Sequence, residues 1–301
     1  MKKRATVVDL RGKHIIVTGA SEGSLGFATA QILASWGAHV FISTRSDPSA
    51  TVNALRKASG GVVDGFPLDL TNTASVNAFA AWYGNKHGER LDVLINNAGI
   101  HLDLRSEWKT PTLTADGYEI HWRTNYLGTA QFTHALLPLL QKTAQQTGDA
   151  RIVNVVSQLH SKGRNSALFA PLEPYNSWRA YGTSKLALVH FTTALQQHFA
   201  SEGLQAYCLH PGAVYTRIAD KGLAGHFWIG LLRKLLAPVE ALFLLSPTMG
   251  AQTSLYCATE KNLRGGHYYV DCTETPACAD AQDTAVATRL WNETLAWINK
   301  T

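Results

Sequence analysis

Short apolar runs alternate with stretches of helical period along most of the chain. We predict strands at His14–Thr18, His39–Ser43, Val62–Pro67, Val93–Asn96, Ile152–Val156, Gln205–His210 and His267–Val270. The stretches between them predict helices that include Thr29–Trp36, Ala74–Lys86, Tyr118–Lys142 and Tyr181–Ser201. This alternation is typical of an α/β fold, in which a doubly wound parallel sheet of about seven strands carries helices on both faces.

Several predicted strands are apolar at almost every position, as in Ile15–Val17 and Val93–Ile95. Such strands are usually buried on both faces of a parallel sheet. The chain has no internal repeat and no low-complexity linker, so we predict one Rossmann-type domain over residues 1–301, with its core at about residues 9–300. Because open sheets of this kind bind ligands at the carboxyl ends of their strands, the residues directly after each strand are the candidates for chemistry.

A glycine-rich turn follows the first predicted strand and precedes a helix, with Gly19, Gly23 and Gly26 as its glycines. Glycines permit a tight turn and let backbone N–H groups approach a pyrophosphate. The helix N-terminus adds unpaired N–H groups and the positive end of its dipole. An ordinary strand-to-helix turn has a similar composition, but the position directly after the first strand favours dinucleotide binding.

The second predicted strand ends close to Arg45, where dinucleotide folds meet the adenosine ribose. An arginine can pair with a 2′-phosphate, whereas an acidic residue would bind the free 2′-hydroxyl. Arg45 therefore favours NADP(H), with NAD(H) as the alternative. A solvated surface arginine is the plainer interpretation, and Glu22 in the glycine turn would repel a 2′-phosphate.

Tyr181 and Lys185 are four residues apart in a predicted helix, so they share one helix face. A lysine ammonium stabilises a phenolate and lowers the pKa of a tyrosine. A phenol tuned in this way can give a proton to a developing alkoxide or take one from an alcohol. Such pairs also occur by chance, but Ser157 at the end of a strand and Asn125 inside a helix add to the evidence. Asparagine is unfavourable within helices, so Asn125 suggests a special role.

These motifs occur in the order found in the single-domain short-chain dehydrogenase/reductase family, which the chain resembles over about residues 9–300. They are Thr18-Gly19, Gly23, Gly26, Asn96-Asn97-Ala98-Gly99, Asn125, Ser157, Tyr181, Lys185 and Pro211-Gly212. Finer strings resemble the retinol-dehydrogenase-like branch, namely Trp36–Val40, Asp116–Glu119, Ser184–Ala187, Gly250–Thr253 and Tyr268–Cys272. The long interval between Ser157 and Tyr181 is also similar to that branch.

The resemblance implies that Tyr181 is the acid/base and that Lys185 lowers its pKa and holds the nicotinamide ribose. Ser157 would orient and polarise the carbonyl, and Asn125 would hold a water that links Lys185 to solvent. With the glycine turn and Arg45, the implied cofactor-binding set is Gly19, Ser21, Gly23, Leu25, Gly26, Arg45, Asp69, Leu70, Asn97, Ala98, Gly99, Tyr181, Lys185, Pro211, Gly212, Val214 and Thr216. The family tends to pair through the helices that hold Asn125 and Tyr181, which implies a homodimer or homotetramer.

The glycine turn departs from the family pattern, because the interval from Gly23 to Gly26 is one residue longer than usual. Either Ser24 bulges out of the turn or the helix starts later. The difference affects the phosphate contacts and the cofactor preference, but it leaves Ser157, Tyr181 and Lys185 untouched.

The segment at about residues 215–245 is strongly apolar and, by resemblance, would cover the substrate as a lid. An apolar lid favours a lipophilic substrate and excludes water from hydride transfer. A helix packed on the core or on a partner subunit, or one lying on a lipid surface, would look the same. The loop Lys162–Arg179, with Phe169, Tyr175 and Trp178, is a candidate for the opposite wall.

Composition narrows the class further. Of 301 residues, 46% are hydrophobic and 16% charged, which excludes a disordered chain. The net charge of +5 is mild, and the basic cluster Lys2-Lys3-Arg4 is most simply a solvated terminus, so we expect no nucleic-acid partner. Arg233, Lys234, Pro238 and Glu240 interrupt the apolar stretch from Leu223 to Leu245, so we expect no membrane-spanning helix.

The four cysteines form no Cys-x-x-Cys pair, and the N-terminus has no signal-peptide run, so we expect reduced thiols and a cytoplasmic location. The 12 histidines are scattered and predict no metal site. The leading hypothesis is an NADP(H)-preferring oxidoreductase of a lipophilic aldehyde, ketone or alcohol. A catalytically silent dinucleotide sensor is the alternative, although such relatives usually lack the tyrosine or the lysine. An extended-branch epimerase would need more residues after Pro211, and a serine hydrolase would need a Gly-x-Ser-x-Gly turn.

Overall fold

The computed structural model of the chain describes residues 3–88, 90–214 and 245–301. The strands in these ranges are β1 His14–Val17, β2 His39–Thr44, β3 Val63–Pro67, β4 Val93–Asn96, β5 Ala150–Val155, β6 Leu204–His210, β7 Tyr268–Val270 and β8 Thr273–Glu274. They form one sheet in the order β3-β2-β1-β4-β5-β6-β7-β8. All neighbours are parallel except the last pair, β7 and β8.

Helices cover both faces of this sheet. Within the described ranges they are α1 Leu25–Ser35, α2 Ser49–Ser59, α3 Thr73–His87, α4 Gly128–Thr147, α5 Ser177–Phe199, α6 Pro247–Thr259 and α7 Thr284–Ile298. The three buried residues Ile15, Ile16 and Val17 of β1 show how the layers form, because successive side chains of a strand point to opposite faces. Ile15 and Val17 belong to the core beside α1, α2 and α6, whereas Ile16 belongs to the core beside α3, α4 and α5.

The strand order reverses between β1 and β4, which are neighbours in the sheet although β2 and β3 separate them in sequence. At such a switch point the connections leave in opposite directions and open a crevice at the carboxyl ends of the strands. The predicted doubly wound α/β fold is therefore confirmed, and its ligand-binding edge lies after β1 and β4.

All seven predicted strands are present, with ends within two residues of the predicted ones. β8 adds an antiparallel strand that the sequence pattern did not indicate. Helix starts were less accurate: α1 begins at Leu25 rather than Thr29, and α5 begins at Ser177 rather than Tyr181. In both cases a polar cap, Ser24 or Asn176, accepts a backbone N–H and starts the helix about one turn earlier.

The predicted helix Tyr118–Lys142 is wrong in its first part. A π-helical turn, Trp122–Leu127, comes before α4 and contains the buried Asn125. π-Helical turns insert one extra residue and are frequent at functional sites. The turn changes the direction in which Asn125 points relative to the rest of α4.

The C-terminal helix α7 packs on α5. Trp291 of α7 stacks on Phe191, with ring centroids 5.7 Å apart, and on His198, with centroids 4.8 Å apart. Its Thr294 hydroxyl is 2.6 Å from the Tyr126 hydroxyl in the π-helical turn. The outward surface of α5 is thus partly covered by the chain itself.

Among the described residues, no helix combines the length and the apolar character needed to cross a bilayer. Thr216 and residues 215–244 of the expected substrate lid lie outside the described residues. Leu245, where the description resumes, forms a parallel bridge with Val214.

Candidate active site

The glycine turn between β1 and α1 has the conformation of a close-approach loop. Gly19 has a φ of 69° and Gly23 a φ of 75°, in the left-handed region that glycine adopts readily. A Cβ atom at Gly26 would lie 2.5 Å from Nδ2 of Asn97, so α1 can pack this close to the end of β4 only with glycine there. Ser24 does not bulge out of the turn; it caps α1, and its Oγ accepts a first-turn N–H at 3.1 Å. The additional residue between Gly23 and Gly26 is therefore accommodated where Ser24 caps the helix and α1 begins at Leu25.

The end of β2 is tied to this turn. The carbonyl of Ser43 accepts the N–H of Ala20 at 2.9 Å, and its hydroxyl accepts the N–H of Gly19 at 3.3 Å. Arg45 and Glu22 are both exposed at the rim of the same cleft. The two residues with opposite expected effects on a 2′-phosphate therefore lie on one cleft.

At the end of β4, Asn96 supports the sheet, whereas the next two residues line the cleft. Asn96 is buried and donates its amide to Oδ1 of Asn154 on β5 at 2.9 Å. The hydroxyl of Thr18 accepts the N–H groups of Asn97 at 3.0 Å and Ala98 at 2.9 Å, which fixes the bend after the strand. Asn97 and Ala98 line the cleft.

Ser157 follows β5 and caps a short 3₁₀ turn, Gln158–Lys162. Its hydroxyl accepts the N–H of Leu159 at 3.2 Å, and its carbonyl is 2.7 Å from Nδ1 of the buried His160. Nε2 of His160 in turn accepts the N–H of Cys278 at 3.1 Å. A neutral imidazole thus connects the backbone of Ser157 to the C-terminal part of the chain.

Tyr181 and Lys185 lie one helical turn apart near the start of α5, and both line the cleft. Nζ of Lys185 lies 5.8 Å from the centroid of the Tyr181 ring and donates to the carbonyl of Val155 at 3.0 Å. Ser157 also lines this cleft, and its hydroxyl opposes the rise in the pKa of Tyr181. The structure brings together the three side chains that the sequence singled out for proton chemistry.

The protonation equilibria differ from the sequence expectation. Burial raises the pKa of Tyr181 to about 12, and only the hydrogen bond with Ser157 opposes this effect. Burial lowers the pKa of Lys185 to about 8. Desolvation is the largest influence on both groups, and in this cleft it outweighs any lowering of the phenol pKa by the ammonium. At neutral pH, Tyr181 holds its proton and Lys185 is mostly charged.

Asn125 stands behind this trio rather than on the cleft. Its side chain accepts the N–H of Ile100 at 2.8 Å and donates to the carbonyl of the same residue at 2.9 Å. It also donates to the hydroxyl of Ser184 at 3.1 Å. A Cβ atom at Gly99 would lie 3.2 Å from both Asn125 Oδ1 and Lys185 Nζ, so the glycine lets these two polar atoms come near each other.

One cleft of about 400 Å³ collects most of the expected residues. The expected residues that line it are Gly19, Ser21, Leu25, Arg45, Asp69, Leu70, Asn97, Ala98, Gly99, Ser157, Tyr181, Lys185, Pro211, Gly212 and Val214. Gly23, Gly26 and Asn125 do not line it, and their contacts shape the walls instead. Phe169 belongs to the loop that was expected to form the opposite wall, but it does not line the cleft. Its ring packs against Arg289 instead, with the guanidinium carbon 3.7 Å from the ring centroid.

Sequence reasoning missed several residues around the cleft. Thr18 and Ser24 belong to the glycine-turn motif, but the hydrogen bonds of their hydroxyls were not predicted, because both are common polar residues of turns. His101 was also missed, although its ring stacks on that of Tyr181 with centroids 4.0 Å apart. No group of three potential metal ligands occurs within the described ranges.

A doubly wound sheet, a glycine turn at its switch point and a serine, tyrosine and lysine in one cleft define a dinucleotide-binding oxidoreductase. The family model described as short chain dehydrogenase matches residues 13–224. The chain is 37% identical over 297 residues to retinol dehydrogenase 12 from Bos taurus, with 95% of this chain and 86% of that protein covered. The chain belongs to the short-chain dehydrogenase family, in its retinol-dehydrogenase-like branch.

Solved structures agree with this assignment. An uncharacterised protein from Mycobacterium paratuberculosis matches with a TM-score of 0.73 and 29% identity, covering 99% of this chain and 98% of that one. The NADPH-bound carbonyl reductase from chicken fatty liver matches with a TM-score of 0.64 and 26% identity, covering 89% of this chain and 100% of that one. The chain is an oxidoreductase whose cofactor is a nicotinamide dinucleotide.

Proposed function

We propose that the chain transfers hydride between NADP(H) and the carbonyl or alcohol carbon of a lipophilic aldehyde, ketone or alcohol, with Tyr181 as its acid/base. The observation that carries the proposal is the single cleft that joins the glycine turn to Ser157, Tyr181 and Lys185. One end offers backbone N–H groups and a helix N-terminus to a pyrophosphate, and the other offers hydroxyls to a reacting oxygen.

The described residues fit a dinucleotide. Gly19 and Gly23 have positive φ in the turn that leads into α1, and neither carries a Cβ atom that would keep a pyrophosphate away from the backbone. The bound cofactor would supply the hydride. Arg45 at the rim supports the 2′-phosphorylated form, since a guanidinium pairs with phosphate, whereas Glu22 on the same cleft opposes it.

Tyr181 would transfer a proton to the reacting oxygen of the substrate, and Ser157 would assist it. Because burial keeps the pKa of Tyr181 at about 12, the phenol is protonated at neutral pH and suited to donate to an oxygen that gains negative charge. The Ser157 hydroxyl, beside it, would hydrogen-bond the same oxygen. Lys185, mostly charged at neutral pH, would hold the ribose, and Asn125 would hold a water that links this ammonium to solvent.

The substrate class follows from the apolar segment at residues 215–245 and from the relatives. The mammalian protein reported above is named as a retinol dehydrogenase, and the avian one as a carbonyl reductase. We propose that the substrate is a lipophilic molecule of that kind, an apolar body with one terminal or internal carbonyl or alcohol group.

The test is a panel of retinol, retinaldehyde and aliphatic aldehydes, ketones and alcohols, followed through nicotinamide absorbance. Tyr181→Phe removes only the donated proton, so we expect turnover to fall by about 10²–10⁴-fold while cofactor affinity stays close to that of the unmodified protein. Tyr118→Phe is the matched control, because Tyr118 packs against Trp297 away from the cleft. Equal turnover of Tyr181→Phe and the unmodified chain would contradict the proposal.

Location and assembly complete the proposal. Cys208, Cys257, Cys272 and Cys278 are free thiols, which supports a reducing, cytoplasmic compartment. The family tendency supports a homodimer or homotetramer. Because α7 packs on α5, a second copy that pairs on this side would have to contact α7 as well. Cell fractionation and light scattering test these two points.

A further inference from the structure

His101 belongs to the loop after β4 and is nearly buried, with 6% of its surface exposed. Its imidazole lies flat against the Tyr181 phenol, with an interplanar angle of 11° and ring centroids 4.0 Å apart. Nε2 of this imidazole has no hydrogen-bond partner in the described part of the chain.

The ring of His101 is itself held from the side. The indole of Trp178 meets it edge-on, with centroids 4.9 Å apart, and the indole N–H donates to the carbonyl of Leu104 at 3.0 Å. Ser177 donates its hydroxyl to the carbonyl of Asp103 at 3.0 Å, which docks the same loop on the start of α5. The loop and the helix therefore form one rigid unit around the tyrosine ring.

Resting on the proposed role of Tyr181, we propose that His101 is a positioning residue that fixes the plane of the phenol and keeps its hydroxyl beside Ser157. The Tyr181 hydroxyl is at the far end of the ring from Cβ. A small rotation about the Cα–Cβ bond therefore displaces the hydroxyl more than any ring atom. A flat group stacked on one face blocks that tilt. Misplacement of a reacting group by about 1 Å can cost about 10²-fold in rate.

The imidazole of His101 is kept neutral mainly by its burial. Burial lowers the pKa of His101 to about 4, and the nearby His121 and Lys185 act in the same direction, whereas Asp103 opposes them. A neutral ring can stack on Tyr181 without adding a second cation beside Lys185.

The test compares His101→Leu, which removes the flat ring, with His101→Phe, which keeps it without the nitrogens. We expect His101→Leu to lower kcat at least tenfold with KM within about twofold, and His101→Phe to stay within about threefold of the unmodified protein. His134→Leu on α4 is the matched control, since His134 lies away from the cleft. Binding of the dinucleotide, measured by fluorescence, should be unchanged in all three variants.

The double variant His101→Leu/Tyr181→Phe separates positioning from a general structural effect. If His101 acts through Tyr181, its loss has no further effect on the residual turnover once the phenol hydroxyl is gone. An unchanged kcat in His101→Leu, or an equal fall in both backgrounds, would overturn the proposal. Full activity of Tyr181→Phe alone would instead refute the proposed function. If His101→Leu does not fold, His101→Met, which keeps the bulk without a flat ring, takes its place in the same comparison.

Discussion

We propose that the cofactor preference depends on Arg45. It is exposed at the end of β2 and lines the cleft, and Glu22 lines the same cleft from the glycine turn. A guanidinium adds binding energy only to a dinucleotide that carries a 2′-phosphate, whereas the carboxylate penalises that phosphate. On this proposal, the opposing effects of these two residues set the discrimination between NADP(H) and NAD(H).

We predict that Arg45→Ala raises the KM for NADPH about tenfold to hundredfold and changes that for NADH by less than about twofold, because charge-assisted hydrogen bonds contribute about 1.5–3 kcal/mol. Glu22→Gln is the reciprocal control and should lower the KM for NADPH. The measurement is initial-rate kinetics with both cofactors at one ionic strength. Equal losses for NADPH and NADH in Arg45→Ala would show that the arginine does not read the 2′-phosphate.

At the scale of elements, the π-helical turn Trp122–Leu127 is joined to the segment after β4 by one side chain. Asn125 satisfies both backbone groups of Ile100, and its third bond reaches Ser184 on α5. All of these groups are buried, so no water can replace the amide. The turn, the loop after β4 and the catalytic helix are therefore held together at one residue.

We predict that Asn125→Leu lowers the free energy of unfolding by about 2–5 kcal/mol, because it leaves a buried N–H and a buried carbonyl of Ile100 unpaired at about 1–3 kcal/mol each. Ser184→Ala removes the third bond and the 2.7 Å donation from the Ser184 hydroxyl to the carbonyl of Tyr181, but it leaves Ile100 paired, so it should cost less, about 1–2 kcal/mol. Urea denaturation followed by circular dichroism measures both changes. A loss in Asn125→Leu no larger than that in Ser184→Ala would rule out this linking role.

Elements and site residues differed in how far the sequence could predict them. Strands such as β1 are determined by local apolar runs, and the pairing of Tyr181 with Lys185 follows from helical spacing alone. The π-helical turn could not be predicted, because it depends on Asn125 meeting a backbone segment distant in sequence. The stacking of His101 on Tyr181 has the same origin. α2 gave little signal, since it buries only Val52 and Leu55 among its apolar residues.

For the whole molecule, the position of α7 limits how a dimer could form. The outward side of this helix is polar, and its exposed Arg289 and Glu293 form an ion pair of 2.8 Å. Stable dimer interfaces usually have an apolar core. A dimer on this side of the molecule would thus need apolar surface from elsewhere, and the family's pairing through α4 and α5 stays a prediction.

Buried histidines link the stability of the whole fold to pH. The pKa values of His101 and His190 fall to about 4 through burial, and burial also lowers those of His14 and His160. The unfolded chain binds protons with histidine pKa values of about 6.5, so between pH 6.5 and 4 it holds more protons than the folded chain. The free energy of unfolding is therefore unaffected by these histidines above about pH 6.5, and it decreases as the pH falls toward 4.

We predict that the free energy of unfolding falls steadily from about pH 6.5 to about pH 4, with His101 and His190 contributing on the order of 3 kcal/mol each. Carboxylates with lowered pKa values, such as Asp92 and Glu119, add their loss only below about pH 4.5, so the upper part of this window reports histidines. Denaturant titrations across the window measure the slope, and His101→Phe and His190→Phe should each reduce it. A free energy that stays constant or rises as the solution is acidified would contradict the burial of neutral imidazoles. A slope that neither variant changes would assign the effect to other groups.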